Sequence, residues 1–293
     1  MPEGIITKAI AGFYYVQDED IVRQCRARGV FKKHGINPLV GDRVVFSPIG
    51  GREGVVEEVL PRKNELVRPP IANIDQSVLT FSAVEPDFNP KLLDRMLVQT
   101  ERVDLEAVII ITKIDKLPDR SVLDKWMQPY LEMGYTVLPV ASKSGEGLEA
   151  VRDTLAGKLS GLAGNSGVGK STLLNALVPG LNLNVGEISQ KLGRGKHTTR
   201  HSEIYRLYEE TFVIDTPGFA TLEFTDMEPE VLAVCFRDIW QKSHDCKYRG
   251  CLHTTEDGCA VRPAAEAGEI SPRRYANYRE FLEELKEAKE RRY

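Results

Sequence analysis

The sequence predicts an α/β protein in three parts: a small β-barrel, a parallel-sheet domain carrying a glycine-rich loop, and a short helical unit stapled by a Cys/His cluster. Three observations predict it. Short β-type runs without helical periodicity fill the first stretch to about Val67. Strand and helix patterns then alternate, which implies a sheet covered on both faces. Beyond Thr225 no strand pattern remains, only helical text around cysteines and histidines.

Composition sets the bounds. A chain of 293 residues, 28% charged and 42% hydrophobic, suits two or three packed domains and excludes a disordered or fibrous protein. Uninterrupted apolar runs such as Ala107 to Ile111 fall far short of the roughly 20 residues of a bilayer-spanning helix. No basic-then-apolar leader opens the sequence, and Glu3 stands among its first residues. The expectation is a cytoplasmic protein without a membrane partner. A formal charge of −4 argues against a general nucleic-acid-coating protein. Residues 1–70 nevertheless hold eleven Lys and Arg against nine Asp and Glu, so a basic surface must be local. Five cysteines, an odd count, read in a reducing compartment as buried thiols or metal ligands.

The elements follow in order. Ile5 to Ile10, Phe13 to Val16, Ile21 to Ala27, Arg43 to Phe46 and Gly54 to Leu60 read as strands separated by Gly, Pro and charged turns. Five strands favour an OB-type or SH3-like barrel. Arg68-Pro69-Pro70 punctuates the chain, which places a first domain over 1–68. The second, over 69–224, begins with a strand at Ser77 to Ser82, a helix from Pro90 to about Arg102 and the apolar strand Glu106 to Thr112. A helix through Trp126, a strand at Thr136 to Val140 and a helix at Leu148 to Leu155 follow. Leu159 to Ala163 makes a poor strand ahead of the helical run Thr172 to Val178, and Phe212 to Asp215 a good one. The third, over 225–293, has an amphipathic segment from Val231 to Trp240 and a polar helix from Pro272 to about Arg291.

The chemistry lies in five short stretches and one cluster. Gly164, Asn165, Ser166, Gly167, Val168, Gly169, Lys170 and Ser171 fit G-x-x-x-x-G-K-[ST], with Thr172 opening the helix. Glycines let backbone N–H groups turn inward around phosphates, Lys170 neutralises their charge, Ser171 ligates Mg²⁺ and the helix N-terminus adds its dipole. Asp215 and Gly218 form D-x-x-G at a strand end, suited to a water-mediated Mg²⁺ contact and to a γ-phosphate contact through the Gly218 N–H. Thr112, Lys113, Ile114 and Asp115 follow a buried strand, where open α/β sheets bind ligands. The Asp115 carboxylate can accept from the two donors of a guanine edge, with the Lys113 stem covering the base. Ala141, Ser142 and Lys143 follow the next strand and can offer a backbone N–H to guanine O6. Lys191 to His201 holds four Lys and Arg, no acid, and Thr198 and Thr199, either of which could ligate Mg²⁺ in a switch loop. Cys246, Cys251, His253 and Cys259 lie within fourteen residues and make a closed tetrahedral set for one structural Zn²⁺, with His244 as a competing ligand. Cys25 and Cys235 read as core. Phe13, Tyr14 and Tyr15 with Phe31, Lys32 and Lys33 are candidates for a stacking and phosphate-binding surface for RNA.

These stretches are the five elements of translation-factor-like GTPases, in the permuted order base-reading, base-supporting, phosphate loop, Thr switch, D-x-x-G. With the β-rich start and the Cys/His cluster, the chain closely resembles the small-ribosomal-subunit-dependent GTPase A family over nearly its whole length. The resemblance implies a circularly permuted GTPase domain between an OB-like barrel and a zinc-stabilised helical domain. It matches all four zinc positions, and it implies GTP and GDP as ligands with Mg²⁺, and the small ribosomal subunit and its rRNA as partners of a monomer. The usual Asn of N-K-x-D is Thr112 here; Asn normally ties this loop to the phosphate loop, so the exchange bears on affinity. Where many GTPases place a water-orienting Gln, directly after D-x-x-G, stands Phe219. His197 is then the candidate to orient or deprotonate water, by resemblance and by its near-neutral pKa. Two other readings remain on sequence: a nucleotide-gated RNA-binding assembly factor with negligible turnover, and a small-metabolite kinase, the latter opposed by Asp115 and Asp215.

Overall fold

The computed structural model describes residues 1–19, 21–29, 31, 35–67, 69–181, 203–215, 224 and 227–291, with the backbone alone at Val67 and Asp215. Strands β1 (Glu3–Ile10), β2 (Phe13–Asp18), β3 (Ile21–Ala27), β4 (Arg43–Gly50) and β5 (Glu53–Val59) close into a barrel in the order β1-β2-β3-β5-β4. That order, with its parallel β3–β5 pair, is of the OB type and decides between the two barrels expected. Alternation along the strands sends Ile6, Val16, Cys25, Val44, Phe46 and Val56 inward, where all are fully buried. Shifts of register in β1 after Ile6 and in β4 at Val45 and Phe46 bend the strands enough for closure. Phe31 belongs to this core, 6% exposed, so it leaves the RNA-stacking set; Lys32 and Lys33 lie outside the described residues. Phe13 stays half-buried beneath the Arg26 guanidinium.

A hairpin of β6 (Glu65–Val67) and β7 (Pro70–Ala72), too short to stand out in the sequence, joins the barrel to the next layer. Leu66 and Ile71 pack into the same core as Leu79. At Gly41, φ 91°, a Cβ would stand 2.1 Å from the Ala72 carbonyl oxygen, so only glycine lets the barrel backbone meet the hairpin there.

The central sheet runs β10-β9-β8-β11-β13-β12, from β8 (Gln76–Ser82), β9 (Glu106–Thr112), β10 (Thr136–Pro139), β11 (Leu159–Ala163), β12 (Ile204–Tyr208) and β13 (Thr211–Asp215). Five strands are parallel; β12 is an antiparallel edge that the sequence pattern did not reveal. The weak text of Leu159 to Ala163 is a strand after all, buried at every residue, because both neighbours pair with it. Helices α1 (Pro90–Glu101), α2 (Ser121–Glu132), α3 (Leu148–Leu155) and α4 (Lys170–Leu177) flank the sheet, and separate apolar cores form on its two faces. The chain steps outward from β8 to β10, then returns to the other side of β8 as β11. The order therefore reverses between β8 and β11, the place where open sheets of this kind bind ligands.

Helices α5 (Pro229–Val234), α6 (Arg237–Ser243), α7 (Val261–Glu266) and α8 (Pro272–Glu290) form the third part around Leu232, Phe236, Ile239, Tyr278, Phe281 and Leu282. The amphipathic segment expected over 231–240 is two helices, broken at Cys235-Phe236. Burial pushes the Cys25 thiol up to about 11 and the Cys235 thiol up to about 12, which makes both inert. Between α1 and α8 lies a buried polar cluster. Arg274 pairs with Asp94 and, through two bonds of 2.9 and 3.1 Å, with Asp238; Asn277 donates to Asp94 at 2.6 Å, and the Tyr130 hydroxyl donates to it at 3.2 Å. Burial pushes the Asp94 carboxyl up, and Arg274, Asn277 and Tyr130 oppose that shift. Among the described residues no helix is long and apolar enough to cross a membrane.

Candidate functional site

The turn after β11 holds the glycine-rich loop. Gly164, φ 150°, has its absent Cβ 2.3 Å from the Thr80 carbonyl oxygen, so the loop can leave the sheet only through a glycine. Gly167 and Gly169 take φ of 84° and 98°, and Asn165, Ser166 and Gly167 are exposed at the crown. Lys170 and Ser171 open α4 and are 6% and 7% exposed; Thr172 beside them is exposed. The Lys170 ammonium curls over the loop, donating to the carbonyls of Gly164 at 2.6 Å and Asn165 at 3.0 Å. A phosphate entering the loop would meet the helix N-terminus, inward N–H groups and this ammonium together.

Two strands away, β9 delivers the second stretch to the same sheet end. Thr112 is 1% exposed, and its hydroxyl lies 3.2 Å from the Phe81 carbonyl oxygen and within bonding reach of that of Val168. The tie that Asn normally makes is thus made here by threonine. Lys113, φ 58°, donates to the Gly167 carbonyl at 2.7 Å and to that of Glu85. Burial and then Lys116 hold its ammonium below the usual lysine range. Ile114 is buried beneath, and the short 3₁₀ turn Ile114–Lys116 leaves Asp115 exposed, free to meet a base. The loop after β8 was not foreseen as part of this site. Glu85 there accepts from Lys113 through its carbonyl and from Lys116 through its carboxylate at 2.8 Å, so one residue holds both lysines that flank Asp115. After β10, the Ala141 N–H is taken by the Glu146 carbonyl at 3.0 Å, which leaves Ser142 and Lys143 as the N–H groups of that stretch open to a base oxygen.

Asp215 ends β13, its backbone beside Leu162 of β11 and so one strand from the phosphate loop. His197, Thr198, Thr199, Gly218 and Phe219 lie outside the described residues.

The second site is the cluster of Cys246, Cys251, His253 and Cys259, whose ligand atoms lie within 4.8 Å of one another. Bond lengths of about 2.3 Å to sulfur and 2.0–2.1 Å to nitrogen at a tetrahedral angle place S and N about 3.6 Å apart. Both Cys246 Sγ and Cys259 Sγ stand 3.6 Å from His253 Nδ1. A left-handed backbone at His253, φ 58°, turns the ring inward, and burial holds its pKa down, which favours the neutral, ligating form. Burial pushes the Cys251 thiol up to about 12, so a thiolate there needs a cation beside it. The residues fit Zn²⁺. His244, the alternative ligand, is exposed at the end of α6, its Nδ1 2.9 Å from the Trp240 carbonyl oxygen, and stands outside the cluster.

Glu256 frames the cluster, and no motif marks it in the sequence. Although burial pushes its carboxyl up, the N–H groups of Leu252, Thr254 and Thr255 bring it down to about 2. A carboxyl depressed in the folded state contributes stability above its unfolded pKa, near 4.5, and loses it as pH falls towards 2. Glu256→Gln is therefore expected to lower stability by about 1 kcal/mol at pH 7. The gap from wild type, followed by urea unfolding, should close as pH falls from about 4.5; a gap that widened would contradict the assignment.

Sheet topology, a phosphate loop and a base-reading loop that precedes it in the chain define a circularly permuted P-loop GTPase. The RsgA GTPase family pattern matches residues 59–225, and that of the RsgA N-terminal domain matches residues 3–56. Small ribosomal subunit biogenesis GTPase RsgA of Bacillus cereus is 51% identical over 293 residues, covering 99% of this chain and 100% of its own. The protein of the same name from Bacillus subtilis is 50% identical over 298 residues, covering the same shares. The crystal structure of YloQ, a circularly permuted GTPase, is 43% identical with a TM-score of 0.79, covering 98% of this chain and 96% of that one. YjeQ from Thermotoga maritima is 35% identical with a TM-score of 0.83, covering 97% and 98%. The chain belongs to the RsgA GTPase family and is a GTP-hydrolysing enzyme.

Proposed function

We propose that this GTPase acts on the small ribosomal subunit during its late maturation and that hydrolysis of GTP controls its release from rRNA. The observation that carries the reading is the meeting of Thr112 to Asp115 with Gly164 to Ser171 at one end of the sheet, in a chain whose full-length relatives bear a subunit-biogenesis name. Asp115 reads guanine, with Ser142 or Lys143 on its O6. Lys170 and the loop N–H groups of Asn165 to Gly169 hold the phosphates, and Ser171 binds the Mg²⁺ that accompanies them. Thr198 or Thr199 and Asp215 complete the Mg²⁺ shell, Gly218 meets the γ-phosphate, and His197 orients the water. The barrel and its basic neighbourhood supply rRNA contact. Zn²⁺ on Cys246, Cys251, His253 and Cys259 is structural, because four protein ligands leave no open position.

The test is hydrolysis of GTP and of ATP by the purified protein, each with and without small subunits. GTP-selective turnover that rises with subunits is expected. Asp115→Asn should weaken GTP binding about a hundredfold, since one of the two acceptor oxygens becomes an NH2 that faces a guanine donor and the remaining bond loses its charge. ATP preference would overturn the base assignment; unchanged turnover with subunits would overturn the partner.

A further inference from the structure

Asp115, exposed on the short turn after β9, has three cations of its own chain close by in sequence: Lys113, Lys116 and, at the N-terminal cap of α2, Arg120. Each is engaged elsewhere. Lys113 is taken by the carbonyls of Gly167 and Glu85. The Lys116 ammonium donates to the Glu85 carboxylate at 2.8 Å. The Arg120 guanidinium forks onto both carboxylate oxygens of Glu146, at 2.7 and 2.9 Å. Glu146 is set for this by its backbone, whose carbonyl accepts from the Ala141 N–H at 3.0 Å and so closes the loop after β10. Glu85 and Glu146 hold Lys116 and Arg120 above their usual ranges, and Asp115 adds a smaller share to each, which places its charge within Coulomb reach of both. Asp115 nevertheless makes no hydrogen bond or ion pair among the described residues.

We propose that Glu146 and Glu85 are positioning residues for guanine specificity: by occupying Arg120 and Lys116 they keep both cations off Asp115 and leave its carboxylate open to the base. The proposal rests on the GTPase reading of the site. A guanidinium pairs with a carboxylate through two parallel N–H bonds, and these claim the same two oxygens that N1–H and the exocyclic amine of guanine require. Arg120 released from Glu146 is therefore a competitor of the base, and so is Lys116 released from Glu85. All four side chains are exposed, so the competing pair is worth up to about fivefold in binding and is screened by salt. The Arg120–Glu146 fork could instead simply brace the loop after β10. The two roles differ in which partner matters: a brace fails when either member is lost, whereas a guard fails only when the acid is lost.

The experiment measures equilibrium binding of methylanthraniloyl-GDP and methylanthraniloyl-ADP to the full chain, at about 0.05 and 0.5 M salt. The proteins are wild type, Glu146→Gln, Glu85→Gln, Arg120→Gln and the double variant Glu146→Gln with Arg120→Gln. Glu146→Gln should weaken the GDP analogue about fivefold at low salt and by less at high salt, and Glu85→Gln, which keeps the carbonyl that Lys113 uses, about threefold. The sign is diagnostic, because losing a negative charge beside an anionic nucleotide would by itself strengthen binding. Neither variant should weaken the ADP analogue, since adenine offers Asp115 no pair of donors. Arg120→Gln should stay within about twofold of wild type, and the double variant should return to that range. Arg120→Gln binding as weakly as Glu146→Gln, or a double variant no better than Glu146→Gln, would make the pair a brace and overturn the proposal. Either glutamate variant binding the GDP analogue as wild type does, with guanine still preferred over adenine, would overturn the proposal alone. Wild type holding the ADP analogue as firmly as the GDP analogue would overturn the guanine reading itself, in a result visible without any variant.

Discussion

Cys251→Ser is expected to cost the protein its metal and, with it, the order of residues 244–260. Apart from Leu252 and the cysteines, this stretch has little apolar side chain to bury. It is held instead by polar contacts: Tyr275 and Tyr278 donate to the carbonyls of His253 at 2.7 Å and Leu252 at 2.9 Å, Lys247 N–H to that of Gly258 at 3.0 Å, and Ala260 N–H to Cys246 Sγ at 3.3 Å. Each is worth about 1 kcal/mol net, whereas structural zinc supplies about 10–16 kcal/mol in peptides that fold around it. Serine removes a thiolate and leaves three ligands, so metal analysis should fall from one Zn²⁺ per chain to well below it. Limited proteolysis should then cut within 244–260 while nucleotide binding at the sheet persists. A variant that kept a full equivalent of zinc and resisted protease like wild type would sink the assignment.

Arg274→Met is expected to destabilise the protein by about 3–5 kcal/mol, the cost of breaking a buried pair from one side. Arg274 is 1% and Asp94 0% exposed, and the guanidinium also lies 5.0 Å from the Phe236 ring. Methionine fills much of the volume but leaves Asp94 with hydrogen bonds from Asn277 and Tyr130 only and with Arg273 as the cation nearby. The double variant Arg274→Met with Asp94→Leu should recover part of the loss, because the buried Asp94 charge leaves with that of Arg274 while Asp238, its side chain 13% exposed, is left to solvent. Denaturant unfolding of wild type, Arg274→Met, Asp94→Leu and the double variant checks this. A single variant within about 1 kcal/mol of wild type would mean that the cluster is hydrated in solution.

The elements that carry chemistry were legible because each leaves a local mark. Phosphate binding needs glycines and a lysine at fixed spacing, and a closed metal set needs four ligands in a short span; both survive without knowledge of the fold. The strand β9 announced itself by an apolar run, and β8 by Val78, Leu79 and Phe81 between polar residues. What stayed hidden depends on partners distant in sequence. Leu159 to Ala163 is a strand because β8 and β13 flank it, not because Ser160 and Gly161 favour one. β12 is an edge with one paired neighbour in its sheet, so its pattern is weak. Phe31 looked available for stacking beside two lysines, and only barrel closure shows it to be core. Glu85 and Glu256 act through backbone groups, which no side-chain motif records. Asp94 did leave a trace: an acid between Leu93 and Met96 on the apolar face of α1 has to find a buried partner.

That partner lies 180 residues further along the chain. During synthesis at about 5–20 residues per second, Asp94 waits on the order of ten to forty seconds for Arg274 to be made. Through that interval α1 cannot settle fully onto the sheet without leaving a carboxylate uncompensated. Its own sheet neighbours, β8 and β9, are complete long before. Helix α8 therefore seals α1 of the nucleotide-binding domain, and the nascent chain carries an order of assembly in which that domain closes only after Arg274 has been made.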